Sequence, residues 1–184
     1  MNARTLRPWC GALVLLVLSL DCALADARLT QLFERLRDAS DVEHAAQVES
    51  SIWQCWMQHE DEEVSAQFGL GMRKLGANDF AAAVRQFSIV LQIAPDFAEA
   101  WNKRATAYYL MDDMAASVAD IERTLLLEPR HFGALSGLGL IFLSRGDLQS
   151  ALAAFEKVLL IYPRSVSAQS HVQQLRRILH KDSI

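Results

Sequence analysis

The side chains able to do chemistry are few and scattered. Five histidines (His44, His59, His131, His171 and His180) occur in the sequence, and none pairs with another at i, i+4. There is no HExxH metal-binding helix motif and no G-x-S-x-G nucleophile elbow. The acidic run HEDEE (His59–Glu63) sets one histidine beside four carboxylates. It reads as a helix start, because negative side chains are favourable at the positive end of the peptide dipole; a metal site is the less economical reading. GALSGLGL (Gly133–Leu140) has closely spaced glycines, but it falls inside a helical pattern with no strand before it, so it is not a phosphate loop. Cys55 lies in SIWQCWMQ among apolar residues and reads as a buried structural thiol. No catalytic constellation, metal or cofactor is expected.

The elements around these residues follow one rhythm. Pro95, Pro129 and Pro163 are spaced 34 residues apart. A fixed period of that size marks stacked supersecondary units. The stretches 64–97, 98–131 and 132–165 align on this period without gaps. Each predicts two helices: about 62–75 with 79–93, 97–110 with 114–127, and 131–144 with 148–161. Gly76-Ala77-Asn78 reads as the first turn. Asp79, Asp113 and Asp147 recur near the turns, and Asp113 and Asp147 can cap the helices that follow. The prolines fall just past the second helices, where the missing amide donor does no harm.

The 184 residues suit one domain, and 52% are apolar, enough for a core. The formal net charge of −4 argues against a nucleic-acid footprint. Residues 1–25 read as a signal peptide: Arg4 and Arg7, then the apolar run Gly11–Leu20, then Ala23-Leu24-Ala25 as a small-x-small cleavage site. The apolar run is shorter than the roughly 20 residues of a spanning helix, so no membrane span is expected after cleavage. A lipid anchor on Cys22 fits poorly, since Asp21 stands where lipoprotein signals carry a small residue. Removing Arg4, Arg7 and Asp21 takes the net charge from −4 to −5. Cys55 is then the one cysteine left, which leaves no internal disulfide. The expected location is the periplasm or the exterior.

Residues 26–61 predict a helical hairpin. Leu29, Leu32, Phe33 and Leu36 mark one apolar face; Ala45, Val48, Ile52, Trp53 and Trp56 mark the other, with Ser40 or Asp41 as the cap between. Terminal units of a stack are often atypical, so Trp53 and Trp56 are expected to pack on the first repeat. Residues 165–184 predict a final amphipathic helix with Ala168, Val172, Leu175 and Leu179 inward and Arg176, Arg177 and Lys181 in its last turns.

The periodic residues carry a family likeness. The pattern W-x2-L-G-x2-Y, then A-x3-F, then P reads here as Leu135, Leu138, Gly139, Phe142, Ala151, Phe155 and Pro163. The middle unit reads Trp101, Arg104, Ala105, Tyr108, Ser117, Ile121 and Pro129, and the first Gln67, Leu70, Gly71, Lys74, Ala83, Phe87 and Pro95. Over residues 62–164 the chain thus resembles a tetratricopeptide repeat protein with three tandem units. The resemblance implies an all-α solenoid of antiparallel helix pairs in a right-handed superhelix. Gly71, Ala105 and Gly139 would let paired helices approach closely. Arg104, where leucine is usual, would be part-buried and paired with Asp120.

The resemblance also implies a concave groove lined by the first helices, which grips a partner's peptide or helix. Its lining would be Phe68, Met72 and Leu75, then Asn102, Lys103, Thr106 and Tyr109, then Ser136, Leu140 and Leu143. Lys103 would give the partner an acidic preference. Phe68, Met72, Gly133 and Gly137 stand where some members clamp a C-terminal carboxylate, so that mode is disfavoured. Two readings stay open: a scaffold that binds a protein partner in its groove, and an envelope assembly subunit or homo-oligomer that uses its convex or end surfaces.

Overall fold

A computed structural model describes residues 26–181 as nine helices. Residues 1–25, read from the sequence as a signal peptide, and Cys22 among them lie outside the described residues. Helix α1 spans 26–37, α2 Val42–Trp56, α3 Glu62–Gly76, α4 Phe80–Ile93, α5 Ala98–Leu110, α6 Met114–Leu127, α7 Phe132–Ser144, α8 Leu148–Ile161 and α9 Val166–Lys181. Three antiparallel pairs, α3/α4, α5/α6 and α7/α8, stack in order, and α9 lies on α8. The first helices sit side by side, α3 against α5 and α5 against α7.

Local chemistry repeats with the period. Asp79, Asp113 and Asp147 each accept an amide hydrogen bond three residues on, at 3.3, 3.1 and 3.0 Å, so each caps a second helix. The turn before each cap needs one left-handed residue. Asn78, Asp112 and Gly146 supply it, at φ of 60°, 63° and 73°. These are the residue types that tolerate that region best. The following amide then donates five residues back: Asp79 to Lys74, Asp113 to Tyr108 and Asp147 to Phe142, at 2.9–3.0 Å. At the far end, Ala94, Glu128 and Tyr162 adopt ψ of 78–93°. The proline after each forbids the helical conformation there.

Close helix contact inside a repeat is set by one small residue against one large one. A Cβ on Gly71 would sit 2.6 Å from the Phe87 ring, and one on Gly139 would sit 2.7 Å from Phe155. The middle repeat has Ala105 at this place, and Ile121 replaces the ring. Arg104 joins three helices there. Its Nε and Nη2 donate to Asp120 Oδ2 and Oδ1 at 2.7 and 2.9 Å, and Nη1 donates to Ser88 of α4 at 2.8 Å. The guanidinium also lies 4.8 Å from the Trp101 ring centroid.

The N-terminal hairpin corrects the expectation that it covers the first repeat. It packs across the corners that join the repeats and reaches the third. Leu32, Phe33, Leu36, Val48, Ile52 and Trp56 share one core with Phe132, Leu135, Val158, Tyr162 and Ala168. Tyr162 donates to Glu49 at 3.0 Å, Arg164 to the Ala39 carbonyl at 3.3 Å, and Arg130 sits over the Phe33 ring at 4.4 Å. The outer side of the first repeat is polar instead. Gln67 and Lys74 stand where the later repeats have Trp101 and Tyr108 or Leu135 and Phe142. Among the described residues no preceding repeat covers that side: Gln67 is half-buried and accepts from Gln86, and the half-exposed Lys74 pairs with Asp79 at 3.8 Å.

Candidate partner-binding cleft

The starts of α5 and α7 hold a buried polar cluster beneath the hairpin. Glu99 is 1% exposed and His131 0%. Nδ1 of His131 accepts the amide of Ala134 at 3.1 Å, which caps α7 and leaves Nε2 to carry the proton. Nε2 then donates to Glu99 Oε2 at 2.8 Å, and Asn102 Nδ2 donates to the same oxygen at 3.0 Å. Glu99 Oε1 faces the Lys103 ammonium as an ion pair at 3.0 Å. Burial would raise the Glu99 carboxyl. The His131 hydrogen bond and the Lys103 charge outweigh it and hold the group below its ordinary range.

Two tryptophans roof this cluster. Trp56 stacks on His131 at 4.0 Å between centroids, and its buried Nε1 finds no acceptor among the described residues. Trp53 lies edge-on to His131 and Phe132, with the Lys103 ammonium 4.9 Å from its ring centroid. A Cβ on Gly133 would meet Trp53 at 2.6 Å. A glycine at that place is what lets the hairpin seat on α7.

Beyond Trp53 the concave side stays open between α5 and α7, as a cleft of about 210 Å³. Asn102, Thr106 and Tyr109 line it from α5; Gly133, Ser136, Gly137 and Leu140 line it from α7. Ala105, Ser117 and Ile121 form its floor. Its hydroxyls are largely committed: Thr106 donates to Asn102 O, Ser136 to Phe132 O and Ser117 to Ala105 O, at 2.8–3.0 Å. The Tyr109 hydroxyl has no partner among the described residues.

The expected groove is thus only partly assembled. Asn102, Thr106, Tyr109, Ser136 and Leu140 meet in the cleft. Phe68 does not: it is 4% exposed and packs on Phe87 and Phe97, because it faces its own repeat's core. Met72 and Leu75 are half-buried against that same core. Leu143 lies against the α7/α8/α9 core. Lys103 is spent on Glu99 and Trp53, so its charge is not offered to an acidic partner. The Glu99–His131 contact spans 32 residues, and no local spacing announced it. Among the described residues, no group of three or more His, Cys, Asp or Glu could hold a metal ion, and no helix is long and apolar enough to cross a membrane.

A stack of helix pairs with a cleft between its first helices defines an α-helical repeat solenoid. The tetratricopeptide repeat family model matches residues 68–123 and 111–166, and the chain belongs to that family. A TPR repeat-containing protein of Rhizobium etli is 34% identical over 95 residues, 52% of this chain. The match takes in 47% of that relative, so the chain spans about half the length of the curated relative it matches. The fold is similar to the Sgt2 TPR domain from Aspergillus fumigatus, with a TM-score of 0.61 and 21% identity over 67% of this chain and 83% of that one. It is also similar to the first TPR of Spaghetti (RPAP3), there bound to an HSP90 peptide, with a TM-score of 0.61 and 19% identity over 66% and 98%.

Proposed function

We propose that this protein is a non-enzymatic interaction module that holds a segment of a protein partner in the α5/α7 cleft. The observation that carries this reading is the cleft itself. It is concave, mostly apolar, and formed by a stack that leaves it open while burying its neighbours. Family and fold are typical of such modules, and one structural neighbour is bound to a peptide. Function lives in the site's own residues, and these depart from a carboxylate clamp: Phe68 is core, and Gly133 lies under Trp53. With its leader removed after Ala25, the module would work outside the cytoplasm.

Crosslinking in the native envelope, followed by mass spectrometry, tests both parts. Tyr109→Ala and Leu140→Asp should each reduce partner capture at least tenfold while leaving helicity intact. Capture that survives both changes overturns the cleft reading. A mature chain that does not begin at Asp26 overturns the export reading.

A second reading, an assembly subunit or homo-oligomer, has its own observation. Ile93, Leu126, Leu127 and Leu160 stand 36–78% exposed at the ends of the second helices, a row of apolar side chains in step with the repeat. Sedimentation that shows a dimer abolished by Leu126→Glu with Leu160→Glu would favour it; a monomer would dismiss the homo-oligomer.

A further inference from the structure

We infer that the partner is anchored by one uncharged aromatic side chain inserted between α5 and α7, and not by an extended acidic peptide laid along the concave face. This rests on the cleft reading and specifies its ligand. Three observations converge on it.

The length of the groove is the first. Trp53 closes it at the α7 start, against Gly133. On the first-repeat side, Phe68 is buried and His59 from the 57–61 loop covers Phe97 at 5.1 Å. No residue of α3 lines the cleft. What remains open spans the interval between two first helices, the space of one large side chain and its flanks.

Charge is the second. None of the lining side chains is ionisable except the Tyr109 phenol. The charges that flank the lining are paired: Glu99 with Lys103 at 3.0 Å, the ammonium against the Trp53 ring, and Arg104 with Asp120 at 2.7 Å. A carboxylate entering the cleft would lose its water and find no cation. A neutral ring would lose nothing of that kind.

Volume and polarity are the third. The cleft is about 210 Å³, and an apolar cavity of about 150 Å³ already accepts benzene. Gly137 and Ala105 leave that space by having little or no side chain. Because Thr106, Ser136 and Ser117 satisfy their hydroxyls on backbone carbonyls, an apolar guest strands no donor there. The Tyr109 hydroxyl at the rim is free to bond the backbone or indole N–H of the guest.

Two small probes test this on 15N-labelled protein: indole as the neutral ring, and phenylacetate as a ring of similar size that carries a charge. Indole should shift the Gly133, Gly137 and Leu140 amides saturably, with phenylacetate at least tenfold weaker. Gly137→Leu should weaken indole at least tenfold with helicity unchanged. Gly137→Ala, whose Cβ meets Ile121 at an ordinary 3.5 Å, folds without conflict and should weaken it about twofold or more. Absent indole shifts, shifts that map elsewhere, or phenylacetate binding as tightly as indole each overturn the aromatic anchor. Should Tyr109→Ala still abolish partner capture in those cases, the cleft remains the working surface and only its ligand has been misassigned.

Discussion

Replacing Asp120 by alanine isolates one guanidinium in a site built for a pair. Asp120 is 4% exposed and takes two hydrogen bonds from Arg104, whose side chain is 16% exposed. After the change, Arg104 keeps Ser88 at 2.8 Å and the Trp101 face, but no counter-charge. Removing one partner of a buried pair costs about 3–5 kcal/mol. The residual exposure of Arg104 and its bond to Ser88 place the expected cost near 3 kcal/mol. The backbone carbonyl that holds Thr124 at 2.9 Å is untouched, so the effect belongs to the carboxylate. Urea unfolding followed by circular dichroism and by tryptophan fluorescence measures it. The doubly apolar Arg104→Met, Asp120→Leu protein should recover most of the loss, since a well-packed apolar pair often matches a buried ion pair. The cycle should give a coupling above about 1 kcal/mol. A single-variant cost below 1 kcal/mol, or strictly additive changes, would show that water or another side chain satisfies Arg104 equally well.

Further outcomes follow from other contacts. Gly139→Leu forces atoms into the Phe155 ring and should cost about 1–3 kcal/mol in chemical denaturation, whereas Gly137→Leu points into the cleft and should cost much less; equal costs would refute the assigned faces. The Glu99 carboxyl is held below its ordinary 4.5, so its stabilisation is present above that value and is lost as pH falls through the lower folded-state value. The stability gap between the native protein and Glu99→Gln should therefore hold steady near neutrality and shrink on acidification below about pH 4.5; a gap independent of pH would place the carboxyl in water. Burial and then the Glu49 carboxylate push the Tyr162 phenol up to about 12. Deleting residues 26–61, or changing Glu49 to Gln, should bring it back towards 10 in a spectrophotometric titration, and no movement would mean that the hairpin does not seat on Tyr162.

The repeats were legible because their signals are local. A helix pair needs an apolar stripe, a cap and a stop, and each of these is written within one 34-residue unit. The left-handed turn residues were missed because Asn78, Asp112 and Gly146 are three different types, although they meet the same need one period apart. The hairpin was misplaced for a different reason. Apolar spacing shows which face of α2 is buried and says nothing of what buries it. A usable signal was present: Gln67 and Lys74 are polar where a preceding helix would demand apolar contact, and Gly133 is bare where Trp53 lands. Phe68 was read as lining by its place in the repeat, yet a phenylalanine beside Phe87 and Phe97 gains more from the core than from the groove. The Glu99–His131 pair could not be found by spacing, because its partners meet only when two repeats stack.

The hairpin changes what kind of object the stack is. A row of repeats couples each unit to its neighbours alone, so it can fray or bend at any joint. Here Thr30–Arg130, Glu49–Tyr162 and Ala39–Arg164 tie residues 100, 113 and 125 positions apart. Glu49 also accepts a hydrogen bond from the Trp53 indole N–H at 3.2 Å, so the residue that anchors Tyr162 also aims Trp53 at Gly133. The hairpin also bridges the two cleft walls, because Trp53 meets the Lys103 ammonium of α5 at 4.9 Å and the Phe132 ring of α7 at 5.3 Å, and so it opposes the separation of α5 from α7. That spacing is the width of the cleft. A cleft whose width is fixed before a partner arrives loses less freedom on binding than one that must close around it. The segment that narrows the concave face is thus also what keeps the remaining opening in shape.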